Sequence, residues 1–147
     1  MTLDDNKALI RRFIDEIFVR GRSDAVDELL ADDFTAHTWP STGDPKADLK
    51  GAIARTSKAL ANPRFTIDDM IAEGDRVAVR LTAQATQVGE FMRMPASGRT
   101  YSISEIHIFR VGDGKVTEHW HQFDQMGLMT QLGAMPGGGS ASSGAKG

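Results

Sequence analysis

The spacing of the apolar residues changes once along this chain, at Asn62-Pro63, and that change restricts the fold more than any other feature. Before it, Leu9, Ile10, Phe13, Ile14, Ile17 and Phe18 recur every three or four residues, one stripe of a helix over 3–21 that Thr2 and Asp5 start and Gly21 stops. Ser23 is placed to cap a second, short helix with Val26, Leu29 and Leu30 on one face. Asp44-Pro45 opens a third helix through Leu49, Ile53 and Leu60, closed at Asn62 because proline disfavours helix at the residue before it. FTAHTWP, between the second and third helices, is expected to be irregular. After Pro63 the period falls to two. Phe65, Ile67 and Ile71 begin a strand, EGDR at 73–76 supplies a turn, and Val77, Val79, Leu81, Ala83 and Ala85 alternate with more polar residues. Tyr101, Ile103, Glu105, His107 and Phe109 alternate in the same way before VGDGKV turns the chain back into Thr117–Phe123. Helices followed by hairpins predict an α+β fold, three N-terminal helices packed on one face of a curved antiparallel sheet.

Composition narrows the function classes. A chain of 147 residues with net charge −3 and no basic stripe offers nothing to a phosphate backbone, so nucleic acid is not an expected partner. Cysteine is absent, which removes thiolate nucleophiles and zinc–thiolate sites. Asp4, Asp5, Lys7, Arg11 and Arg12 interrupt the N-terminal apolar residues, so that segment reads neither as a signal peptide nor as a membrane span, and a cytoplasmic location is expected. The folded domain is expected over 1–135. PGGGSASSGAKG at 136–147 has no side chain able to offset the entropy of ordering it and is expected to be a disordered tail.

The chemistry concentrates in EHWHQFD, Glu118–Asp124, where two of the four histidines lie beside an indole and two carboxylates. Which side chains meet there depends on the preceding turn. If Asp113-Gly114 is a two-residue turn, Gly112 pairs with Lys115 and His107 lies opposite Trp120, which leaves His121 on the other face. If Gly112-Asp113-Gly114 is a three-residue loop with Gly114 left-handed, His107 faces His119 and Glu105 faces His121, gathering three histidines and a glutamate. The second register puts a glycine where a left-handed residue is needed and is the one preferred. His107, His119, His121 and Glu105 also have the donor types of a divalent-metal site, a pattern of low specificity that stays open as a minority reading. Asp124 suits the N-cap of a last helical turn, and Trp120 the outer face of the sheet.

The stretch GDRVAVRLTAQATQVGEFMRMPASGRTYSISEIHIFRVGDGKVTEHWHQFDQMGLMTQLG resembles the SnoaL-like polyketide cyclases of the nuclear transport factor 2-like superfamily. With the helices upstream, the resemblance covers nearly the whole chain except the tail. It implies a cone-shaped α+β barrel whose interior needs no metal or organic cofactor to close a ring by intramolecular aldol condensation. The family histidine in the strand before the DGK turn matches His107, and the family's acid/base aspartate, one residue past the tryptophan of EHW, matches His121. The departure is chemical, an imidazole in place of a carboxylate. An imidazole near its unperturbed pKa of about 6.5 still exchanges protons near neutrality. His121 is therefore expected to take a proton next to a carbonyl, His107 to hydrogen-bond the developing enolate or return the proton, and Glu105 to orient His121. His37 matches a histidine in the loop over the family pocket. His37, His119, Phe91 and Met92 are the expected substrate-binding residues, with a small apolar carbonyl or ester compound as substrate. The resemblance also implies a homodimer through the exposed sheet face, to which Trp120, Ile106 and Ile108 would contribute. A binding protein that holds a hydrophobic ligand unchanged is the rival reading.

Overall fold

The computed structural model describes residues 1–38 and 41–134. The Gly/Ser-rich stretch over 136–147 and the Trp39-Pro40 pair of FTAHTWP lie outside these residues. Helix α1, Leu3–Phe13, opens on a reciprocal cap in which Thr2 Oγ1 accepts from the Asp5 amide and Asp5 accepts from the Thr2 amide. The helix then widens into a π-helical segment, Ile14–Val19, before Gly21 takes φ 63° and ends it. A π turn carries one more residue than an α turn, and here it brings Ile17, Phe18 and Val19 to the wall of an internal cavity. Helix α2, Ser23–Leu29, buries Ala25, Val26 and Leu29. Its N-cap residue is Arg22 rather than Ser23, and the Arg22 guanidinium is held instead by Glu16 and Asp24.

The next segment corrects an expectation. Leu30–Ala36 is not irregular but a strand, β1, which runs parallel to the last strand with Thr35 beside Glu118 and Ala36 beside His119. Its sequence, LADDFTA, hides this because only Leu30 and Phe34 are fully buried and Asp32 and Asp33 face solvent, as charges on an edge strand do. Helix α3, Pro45–Ala59, is capped by Asp44, whose carboxylate accepts from the Ala47 amide at 3.1 Å. It ends before the proline, for Leu60 already belongs to β2, Leu60–Glu73. Asn62 takes φ 55° and the pairing skips between Ala61 and Arg64, so Pro63 sits in a bulge inside β2 and not at a helix end.

Strands β3, Arg76–Gln87, β4, Thr100–Gly112, and β5, Lys115–Phe123, follow the expected alternation. The sheet order is β1-β5-β4-β3-β2, mixed rather than wholly antiparallel because of β1, and it curls without closing. Ile10, Phe13, Ile14 and Ile17 pack with Val26, Leu29, Val77, Val79, Leu81 and Phe109 in one continuous core between helices and sheet. Helix α4, Gln125–Gln131, is capped by Asp124 as expected, through the Gly127 amide at 2.9 Å.

The β4–β5 turn overturns the preferred register and still gathers the histidines. Asp113 and Gly114 take φ 50° and 74°, and Gly112 pairs with Lys115, so the turn has two residues. A bulge follows at once: Val111 pairs with Val116, but Arg110 pairs with Glu118. Thr117 is the extra residue, its hydroxyl donating to the Arg110 carbonyl at 3.2 Å. The slip by one puts His107 opposite His121 and Phe109 opposite His119.

Candidate functional site

A cavity of about 270 Å³ lies between the π segment, α3 and the curled sheet. Its wall is mostly apolar, with Ile53, Phe65, Ile103 and Phe123 among its members, and its polar groups include Tyr101, Glu105, His107 and His121. Parity explains these. Residues 101, 103, 105 and 107 share the inward face of β4, and the Thr117 bulge returns 119 and 121 to the inward face of β5.

The polar groups form a chain. Glu105 Oε1 lies 2.8 Å from His107 Nε2, and His107 Nδ1 lies 2.9 Å from His119 Nε2. The two imidazole planes differ by only 1°, so the rings lie edge to edge with the shared proton in their common plane. His107 and His119 are each 1% exposed. A carboxylate only accepts, so His107 Nε2–H donates to Glu105. In the neutral imidazole His107 Nδ1 then accepts from His119 Nε2–H. Phe109 stacks on His119 at 4.5 Å and Phe18 packs on His107 at 5.4 Å, fixing both rings. Burial, and then the charge at His107 and His121, holds His119 well below the usual imidazole range. His121 stacks 5.2 Å from His107, and its Nδ1 lies 2.9 Å from Thr38 Oγ1, which also accepts from the His121 amide. Burial first, and next His107, pushes its pKa down to about 4, with Glu105 opposing.

This arrangement reassigns the expected contacts. Glu105 partners His107 and not His121, and Thr38 is the residue that holds His121. Both nitrogens of His107 are engaged within the chain, so His107 supports the carboxylate and does not itself meet an enolate. His119 stands behind His107 in the core, outside the cavity wall. His37 is not part of that wall either. Its ring stacks on Trp120 at 4.6 Å, and its Nε2 lies 2.9 Å from Glu118. Phe91 and Met92 do line the cavity, at the tip of a tight turn closed by Phe91 and Met94. Among the described residues, no group of three or more histidine, aspartate and glutamate side chains converges on a point that could hold a metal ion. The linear hydrogen-bonded order of the chain accounts for this.

Three residues escaped the sequence reading. Tyr101 shares the parity of Glu105 and His107, a signal present but unused. Gln87 continues the inward face of β3 and is fully buried; its side-chain amide donates to the Met94 carbonyl and its oxygen accepts from Ser97, clasping the loop that carries Phe91 and Met92. Thr38 lies in a stretch without periodicity.

Comparison with known proteins places these features. The SnoaL-like polyketide cyclase family matches residues 8–132. The aklanonic acid methyl ester cyclase DauD of Streptomyces sp. strain C5 is 28% identical over 132 residues, covering 85% of this chain and 80% of that protein. The nogalonic acid methyl ester cyclase of Streptomyces nogalater is 30% identical over 125 residues, covering 79% and 89%. The structure of TsrD from Streptomyces laurentii superimposes with a TM-score of 0.83 at 30% identity, over 92% of this chain and 99% of that one.

Proposed function

The chain belongs to the SnoaL-like polyketide cyclase family, and from that premise we propose that it is a cofactor-independent cyclase closing a ring on a polyketide ester by intramolecular aldol condensation. The observation that carries this reading is the hydrogen-bonded chain ending in the Glu105 carboxylate at the wall of an apolar cavity. Ring closure needs a base for a carbon-bound proton and a surface that folds the substrate onto itself. Glu105 takes the proton, His107 positions it, the enolate carbon attacks the second carbonyl, and the proton returns to the resulting alkoxide. Nothing is lost or oxidised. His121, neutral at pH 7, occupies the family's aspartate position as a hydrogen-bonding wall beside that pair. Phe91 and Met92 offer the substrate an apolar, deformable side.

The test is turnover of aklanonic and nogalonic acid methyl esters, with the cyclised isomer identified by chromatography and NMR. Glu105→Gln is expected to lower kcat by roughly 100-fold or more, and His121→Phe by a smaller factor. An unchanged rate in Glu105→Gln would remove the carboxylate from the mechanism. One observation favours the noncatalytic reading, the imidazole of depressed pKa where the family has a carboxylate. Return of both esters intact from the wild-type protein at every pH would establish it.

The protein is further proposed to act in the cytoplasm as a homodimer. Among the described residues, no helix is long and apolar enough to cross a membrane. Ile71, Ala78, Ile108 and Trp120 form one row across the outer face of four adjacent strands, with Ile71 67% and Ile108 38% exposed. Sedimentation as a monomer at micromolar concentration would refute the pairing.

A further inference from the structure

Tyr101 is 6% exposed and lines the cavity, yet among the described residues its hydroxyl makes no hydrogen bond. Buried tyrosine hydroxyls ordinarily find a partner, and a phenylalanine would fill the same space without a polar group to satisfy. The hydroxyl therefore lacks a structural use. Its position supplies a chemical one. Tyr101 and Glu105 share the inward face of β4 with Ile103 between them, and all three line the cavity, so a substrate lying on Ile103 meets both a donor and a carboxylate. Burial, and then the charge of Glu105, pushes the phenol pKa up to about 12, which keeps it a donor at any working pH.

We propose that Tyr101 donates a hydrogen bond to a substrate carbonyl oxygen and stabilises the enolate formed there when the adjacent carbon gives its proton to Glu105. The proposal rests on the cyclase reading. The C–H electron pair becomes the enolate, which forms the new C–C bond as the acceptor carbonyl's π bond breaks. The alkoxide then takes the proton held by Glu105, and Tyr101 keeps its own proton throughout. A donor aimed where charge develops, rather than at the ground state, acts on kcat.

The test is Tyr101→Phe in the full chain. On the polyketide methyl esters kcat is expected to fall by about 100-fold with KM changed only a few-fold; a kcat within about threefold of wild type overturns the proposal. Because the hydroxyl makes no hydrogen bond to a described residue, the melting temperature is expected to hold, and a marked fall would indicate a structural role instead. An aryl β-diketone, whose enol mimics the intermediate, provides a readout independent of turnover. The wild type is expected to bind it at least about tenfold more tightly than Tyr101→Phe, and equal affinity overturns the donor role. Should the wild type cyclise nothing, the cyclase reading fails while this binding comparison still decides the fate of Tyr101. Tyr101 is the sole tyrosine in the sequence, so near-ultraviolet absorbance reports its ionisation directly; half-formed phenolate at pH 10 would contradict a phenol held near 12.

Discussion

His119 and His121 are held neutral in a part of the protein where the unfolded chain would let them charge, and this ties stability to pH. Both titrate near 6.5 when unperturbed, and burial lowers both in the folded state, His121 to about 4. As pH falls through 6.5 the unfolded chain binds protons that the folded one refuses. Stability from these groups is therefore complete above that value, declines between 6.5 and 4, and for His121 declines no further below its folded pKa. The urea midpoint should be lower at about pH 5 than at about pH 7.5, and His121→Phe should shrink that difference. A midpoint difference of the same size in both proteins would mean that His121 is not the linked group.

At the scale of elements, the Thr117 bulge decides which face of β5 meets the cavity. The two-residue turn at Asp113-Gly114 alone would pair His107 with Trp120 and turn His121 outward; the extra residue corrects the parity within one rung. Deleting Thr117 takes out the one residue of β5 that has no opposite number, so Glu118 should still face Arg110, and His119 and His121 should keep the inward face. In a Trp39→Phe background, Trp120 emission and turnover should therefore both be retained. A blue shift with loss of turnover would show that β5 takes another register once the bulge is removed. This is also where sequence reading ran short. Alternation placed residues 101 to 109 and 77 to 85 correctly, because burial on one face writes itself directly into period two. A bulge leaves no such mark. Thr117 is an ordinary strand residue, and the ion pair that fixes the shifted rung, Arg110 to Glu118 at 2.6 Å, joins residues whose opposition is known only after the shift. Strand β1 was hidden for a related reason: two buried side chains in seven, with Asp32 and Asp33 between them, give no period to read.

For the whole molecule, the question is why the core is hollow beside Glu105 when helices and sheet are otherwise closely packed. The curl of the sheet separates β3 and β4 from α3, and a small side chain on the inward face of β3, Ala85, leaves the space between them unfilled. Composition alone could not locate that space, since an alanine in a strand is equally at home in a close contact. Unfilled apolar volume forgoes packing, so function and stability compete at this point. Ala85 lies directly across from Tyr101 and lines the cavity. Ala85→Leu adds apolar volume to a preformed void with an open side, which avoids the strain of inserting the same group into a filled core. The melting temperature should rise, by about 2–4 °C for each kcal/mol gained in a domain of this size. The Glu105–His107–His119 chain, built on the neighbouring strands, stays intact. Turnover should nonetheless fall through a raised KM, because the leucine occupies the cavity floor beside the donor. A variant that melts lower while turning over normally would mean that this wall of the cavity is already full and that substrate lies elsewhere.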